Sequence, residues 1–316
     1  MKRIILFSMV ILALSSSARQ DKKTSNIQKV TYDGQKINLA KNTLSVQFVG
    51  KLQGVEKEGY QGMDIWGDTV ISCQNSGWMT FYKYDGKSLT RLVEPFKMAC
   101  YAKENHANVA SLSNEFYAPG DKFPVIYISQ CSKHAYKGMK DVVLVERIAN
   151  DMQSTSTVQT VYYRDENHHF GYALQWVIDR DNNMLYGYGN TINNTDEKNK
   201  HRIVKFRLPS LKDGKDGMVV LTDKDLLENY LIEDTYHMPF NPIGQGLFIK
   251  NGLLFMPTGF GRPNAPSYLY VWDLKTRQMQ NVLDLRESTF SEFEDCALWN
   301  NSLMIQAQGN FFRLDF

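Results

Sequence analysis

The chain has 316 residues, of which 43% are hydrophobic and 22% charged, and its formal charge is +2 at neutral pH. That length and apolar content can bury a sizeable core. The near-neutral charge, with no basic stripe carrying interleaved aromatics, excludes an electrostatic case for nucleic acid.

Taken in chain order, Lys2 and Arg3 precede an apolar run from Ile4 to Leu14 and the small residues Ser15-Ser16-Ser17-Ala18. This order predicts a signal peptide over residues 1–18, cleavage near Arg19 and an exported protein, periplasmic or extracellular. Losing Lys2 and Arg3 leaves the mature chain formally neutral. Residues 19–41 read as a polar, flexible leader, with Lys22, Lys23 and Lys29 as its basic cluster. Beyond it no apolar stretch is long enough to cross a membrane, so no transmembrane anchor is expected.

Residues 42–316 read as one repeat domain. Gln61-Gly62-Met63-Asp64-Ile65-Trp66, the turn Gly67-Asp68 and Thr69-Val70-Ile71-Ser72 form an apolar strand, a polar turn and a second strand. The same grammar recurs from His106 to Ser129, stretched by an insertion, from Tyr172 to Tyr188, from Gly244 to Met256 and from Cys296 to Ile305. Third strands follow at Met79–Tyr84, Asp141–Ile148, His201–Leu208 and Tyr268–Trp272. The C-terminus supplies only three strands, and the alternating segment Asn42–Val49 is expected to complete that last unit and remove its exposed edge. The fold class is therefore all-β: a propeller of about five four-stranded blades, closed by an N-terminal strand. One helix is expected over Asp223–Leu231, N-capped by Thr222. Segments 132–140, 190–200 and 210–216 read as loops.

The inner strands opening on Gln61-Gly62 and Gln245-Gly246 carry a resemblance. Followed by strand, turn and strand, they resemble the repeat of the five-bladed propellers related to the teichoic-acid-synthesis C protein and phage receptor-binding propellers. The other copies have His106-Ala107, Phe170-Gly171 and Glu294-Asp295 near the corresponding place. The resemblance implies a glycan-facing role.

Inner strands of a propeller surround a central channel, so side chains just before or within them converge on its funnel. The ligand-binding candidates are Gln61, Asp64, His106, Asn108, Gln175, Gln245 and Glu294, with His168 and Asp295 nearby. Amides, imidazoles and carboxylates suit hydroxyl-rich ligands, and Trp66, Trp78, Tyr172 and Trp176 offer faces for sugar stacking. The expected function is an exported, non-catalytic propeller binding a carbohydrate or cell-envelope polymer. One rival is a glycoside hydrolase using Asp64 with Glu294 or Asp295, or a lyase using His106 or His169 with a tyrosine. The other is a protein-interaction scaffold meeting a partner through loops 190–200 and 259–267.

No metal site is expected: His106, His168, His169 and His237 fall near blade starts, but adjacent His168-His169 is not a ligand spacing. Asp179-Arg180-Asp181-Asn182-Asn183 looks like part of a calcium loop but lacks its glycine, and reads as a hairpin turn. No phosphate loop, dinucleotide fingerprint or nucleophile elbow is present, so no cofactor is expected. The four cysteines, Cys73, Cys100, Cys131 and Cys296, allow three complete disulfide pairings or four free buried thiols.

Overall fold

The fold was described from a computed structural model covering residues 30–32, 35–37, 45–194, 196, 198–232, 244–262, 267–285 and 291–315. The expected signal segment lies outside these residues, as do His237, residues 42–44, and parts of the 190–200 and 259–267 loops. Within the leader, Val30–Tyr32 pairs with Gln35–Ile37 as a short antiparallel hairpin.

Five small sheets form the blades of a five-bladed propeller. Blade 1 runs outward from Tyr60–Trp66 through Thr69–Gln74 and Trp78–Tyr84, and its outer strand is broken into Leu89–Arg91 and Phe96–Lys97. Blade 2 comprises Val109–Leu112, Ile126–Ser129, Val143–Ile148 and Thr155–Arg164. Blade 3 comprises Leu174–Asp179, Met184–Asn190, His201–Arg207 and Glu228–Ile232. Blade 4 comprises Phe248–Lys250, Leu253–Thr258, Tyr268–Asp273 and Gln278–Asp284. Blade 5 takes Phe293–Trp299, Ser302–Ala307 and Asn310–Asp315 from the C-terminal region, and Ser45–Lys51 as its outermost strand.

That last pairing closes the ring as expected. Ser45–Lys51 runs antiparallel to Asn310–Asp315, from Ser45↔Asp315 to Lys51↔Asn310, so the backbone groups along the outer edge of Asn310–Asp315 are paired. Phe48 meets Phe312 edge to face at 5.7 Å across the seam.

Turn chemistry sets the inner hairpins. Lys250 pairs with Leu253 across Asn251 and Gly252, which sit at φ 52° and 74°. Such a two-residue turn needs positive φ at both central residues, and Asn-Gly supplies it at least cost. The Asp179 turn is a hairpin too: Asp179 pairs with Met184, and its Oδ1 accepts the N–H groups of Asp181 and Asn182 at 3.1 and 3.3 Å.

The core lies between neighbouring blades. Ile71, Phe81, Leu112 and Ile128 pack blade 1 on blade 2, and Tyr127, Val143, Trp176 and Phe206 pack blade 2 on blade 3. Tyr188, Ile203, Met256 and Trp272 join blades 3 and 4, while Met63, Phe255, Phe293 and Phe311 join blades 4, 5 and 1. Each blade buries both faces, so its strands read as near-continuous apolar runs. All four cysteines are free and buried, Cys73, Cys100 and Cys296 within these layers, and burial raises each thiol's pKa. Among the described residues, no helix is long and apolar enough to cross a membrane.

Two features differ from expectation. The helix expected over Asp223–Leu231 is a single 3-10 turn, Asp223–Asp225, followed by the outer strand of blade 3. Thr222 does cap it, in a reciprocal box with Asp225. A capped turn is a local preference, however, and the ladder of Glu228–Ile232 with His201–Lys205 overrides its extension. Blade 2 also carries a fifth strand, Met218–Thr222, parallel to Thr155–Arg164.

Candidate functional site

The upstream ends of the inner strands place one predicted polar residue from each blade around the channel: Gln61, Asn108, Gln175, Gln245 and Glu294, all buried. The side chains of Gln175 and Gln245 tie neighbouring blades. Gln175 Nε2 donates to the carbonyls of Gln245 and, at 3.3 Å, Gly244. Gln245 Nε2 donates to Glu292 at 2.7 Å, and the backbone carbonyl of Gln61 accepts from the Gln306 side chain of blade 5. Gln61 Oε1, Asn108 Oδ1, Gln175 Oε1 and Glu294 Oε2 are buried with no protein partner, the kind of group that buried water satisfies in channels. Glu294 sits near Glu292 and Asp295, and burial followed by their charges drives its pKa well up, favouring the neutral acid.

His106 stands in the loop before the inner strand of blade 2, its Nδ1 2.6 Å from Asn75 Oδ1 of blade 1. Burial lowers its pKa, so the ring is neutral at physiological pH. His168 is exposed and lies at φ 54° in the connection between blades 2 and 3.

One level deeper, the candidate acids act as fasteners. Asp295 of blade 5 accepts the N–H of Met63 in blade 1 at 2.8 Å and of Cys296 at 2.9 Å. Asp64 of blade 1 accepts Leu112 N–H of blade 2 and Ile65 N–H, both at 2.7 Å. Both carboxyl groups are fully buried; burial raises their pKa while these N–H donors pull it back, and Arg180, 3.5 Å from Asp64 Oδ1, adds to that pull. Ser111 and Ser129 do the same work between blades 2 and 3, accepting Ile178 N–H at 3.1 Å and Trp176 N–H at 3.2 Å.

The same level explains the Gln-Gly repeat. A Cβ on Gly246 would lie 2.1 Å from Asp295 Oδ1 and 2.5 Å from the Glu294 carbonyl, and one on Gly62 would lie 2.5 Å from Ala110 N. Glycine admits the next blade's inner strand at backbone contact.

At the downstream ends of the inner strands the channel opens into a cavity of about 290 Å³. All five blades line it: Ile65, Trp66 and Gly67 from blade 1, Asn114 after the inner strand of blade 2, and Arg180 with Asp181 from the turn of blade 3. Phe248, Ile249 and Lys250 come from blade 4 and Leu298 from blade 5. Lys250 Nζ pairs with Asp181 at 3.0 Å, and Asn114 Nδ2 donates to the Arg180 carbonyl at 2.7 Å. Both cations remain partly exposed, at 23% for Arg180 and 28% for Lys250. Trp66 meets the exposed Phe116 ring edge to face at 6.0 Å, outside the cavity lining.

Of the aromatics singled out in the sequence, Trp66 therefore reaches a cavity. Trp176 is core, donating through Nε1 to the Asp141 carbonyl at 2.7 Å. Trp78 packs edge to face on Tyr101, with Lys97 over both rings. Asn114, Phe116, Arg180, Asp181, Lys250 and Leu298 were not anticipated as site residues. Their available signal was position alone: each lies at or next to the chain leaving an inner strand, the place where a propeller gathers side chains from every blade. In the two loops expected to meet a protein partner, Ile192 and Phe260 are each 36% exposed.

No protein-family model matches the chain, and no curated protein matches it in sequence. Among solved structures it is similar to the tail fibre of Staphylococcus aureus phage P68, at 13% identity and a TM-score of 0.51. That alignment covers 90% of this chain and 54% of the fibre, so the chain spans about half the length of that protein. It is also similar to Myxococcus xanthus glutaminyl cyclase, at 10% identity and a TM-score of 0.47 over 85% of this chain and 95% of that one. At 13% identity the likeness to the fibre is one of fold alone.

Proposed function

We propose that the protein is an exported, non-catalytic propeller that binds a carbohydrate or cell-envelope polymer in the funnel at the downstream mouth of its channel. The observation that carries this reading is the cavity lined from all five blades, where Trp66, backed by Phe116, shares the lining with Arg180, Lys250, Asp181 and Asn114. An aromatic face next to fixed polar groups is what a sugar requires, since a pyranose presents an apolar face and a rim of hydroxyls. A binding role without catalysis is supported by the state of the acids. Glycoside hydrolysis needs two carboxyl groups reaching one bond; Asp64 and Asp295 instead hold backbone N–H groups of neighbouring blades and are sealed from solvent.

The test is calorimetric titration of the purified protein with neutral and acidic glycans and cell-wall fragments, on the wild type and on Trp66→Ala and Lys250→Ala. A saturable heat that weakens about tenfold or more in either variant supports the reading, that being the loss expected on truncating a residue at the centre of a binding site. Binding untouched by both variants but abolished by Asn108→Ala would move the site to the upstream ring. Absence of binding across the panel would overturn the reading and favour the protein scaffold. Mass determination of the mature chain tests cleavage near Arg19.

A further inference from the structure

The junction between blades 2 and 3 holds a second constellation, away from the channel. Tyr163 and Arg164 end the fourth strand of blade 2, residues 165–170 lead toward blade 3, and Asp223 follows the parallel fifth strand. One ligand atom each from Asp165, His169 and Asp223 lies within 4.8 Å of the others, and all three side chains are part-buried. Their carboxylates are held from behind. Asp165 accepts the N–H groups of His169 and Phe170, both at 2.9 Å, and Asp223 accepts the Tyr163 hydroxyl and, at 3.0 Å, Asn167 N–H. The Tyr163 hydroxyl also lies 3.4 Å from Asp165 Oδ1, and Asp165 Oδ2 and both Asp223 oxygens each have a single protein donor. Among the described residues, no lysine or arginine forms an ion pair with either carboxylate.

Arg202 Nη1 donates to Asn229 Oδ1, which turns the Asn229 NH₂ group toward His169, with Nδ2 3.1 Å from Nε2. Nε2 must then accept, as the bare nitrogen of a neutral ring. That same Nε2 lies 3.7 Å from Asp223 Oδ1, another electron-pair donor. A proton on Nε2 would satisfy Asp223 but set N–H against the N–H of Asn229. A cation between the imidazole and the carboxylates takes the Nε2 lone pair in place of the Asn229 N–H, which turns aside, and pairs with Asp223.

We propose that Asp165, His169 and Asp223 bind a divalent metal ion of the zinc class, which clasps blade 2 to the start of blade 3. The mixed nitrogen and oxygen donor set suits zinc or a neighbouring transition ion, whereas calcium and magnesium favour all-oxygen sites. The spacing escapes motif reading because His169 is partnered by the residue four before it and by one brought in on another strand.

The test strips the full-length protein with a chelator and titrates Zn²⁺ alone, then Co²⁺ for its visible absorption. One equivalent is expected to bind saturably and raise the melting temperature. His169→Gln and Asp223→Asn should each weaken binding by at least about 100-fold, since even partners outside the coordination sphere cost about 10–100-fold. His134→Gln, at an exposed histidine elsewhere, should bind as the wild type does. Without any variant, Zn²⁺ should protect His169 from diethylpyrocarbonate, read by mass spectrometry of the modified peptide. No saturable binding, binding of equal affinity in His169→Gln, or modification of His169 unchanged by Zn²⁺ would overturn the assignment.

Discussion

Replacing Asp141 by asparagine should stabilise the protein in neutral and alkaline solution and leave it little changed in acid. Asp141 is buried just before the third strand of blade 2, Oδ1 has no protein partner, and the nearest cation, Lys140 Nζ, is 3.9 Å from Oδ2. Burial raises its pKa from 3.8 to about 7, against weaker pulls from Lys140 and the Leu174 N–H. An acid whose folded pKa stands above its unfolded value binds its proton more tightly when folded. The stability tied to that proton is complete below pH 4 and is lost as pH rises to about 7. A gap of about three pKa units corresponds to about 4 kcal/mol, lost almost entirely by pH 8. Asparagine carries no such cost, and it tolerates the backbone φ of 54° found at this position. Urea unfolding of both proteins at pH 5 and pH 8 reads the difference, with the variant's advantage growing with pH toward about 4 kcal/mol. Parallel losses for the variant at both pH values would refute the reasoning, since they would mean an ionised carboxylate held by Lys140.

Three further outcomes follow from the packing. Gly246→Ala should cost about 1–3 kcal/mol in denaturant melts, because its methyl would displace the Asp295 carboxylate and the Glu294 backbone together. Gln245→Ala should lower stability by about 1–2 kcal/mol, through the lost bond to Glu292, yet leave calorimetric glycan affinity at the other mouth unchanged. Deleting Ser45–Lys51 should yield a protein that elutes as a larger species than the wild type on size-exclusion chromatography, since it bares the Asn310–Asp315 edge, and a synthetic peptide of that sequence should return the wild-type elution.

The blades were legible because each one repeats a local pattern. Apolar runs such as Val70–Cys73 and Leu253–Met256, separated by Gly67-Asp68 or Asn251-Gly252, declare strand and turn within a dozen residues. Closure was legible for a different reason: the C-terminal blade was one strand short, and Ser45–Lys51 alternates as an outer strand should. Non-local pairings were not. Met218–Thr222 joins blade 2 across the whole of blade 3's first three strands, and nothing near it in the chain indicates parallel pairing with Thr160–Arg164. The upstream polar ring was found by its position, but its amides turned out to tie blades together. At the downstream mouth, Arg180 and Lys250 look in sequence like ordinary solvated turn residues, and only ring closure brings them together with Trp66 and Leu298.

The seam between Ser45–Lys51 and Asn310–Asp315 also governs when the molecule can finish folding. Blade strands from opposite ends of the sequence must meet there, and pairings of such large sequence separation carry a high loop-closure cost and slow folding. Until the seam forms, two complementary edges coexist on one chain, and at high concentration a second copy can supply the missing edge. A chain of this design is prone to exchange Ser45–Lys51 with a second copy when it folds crowded.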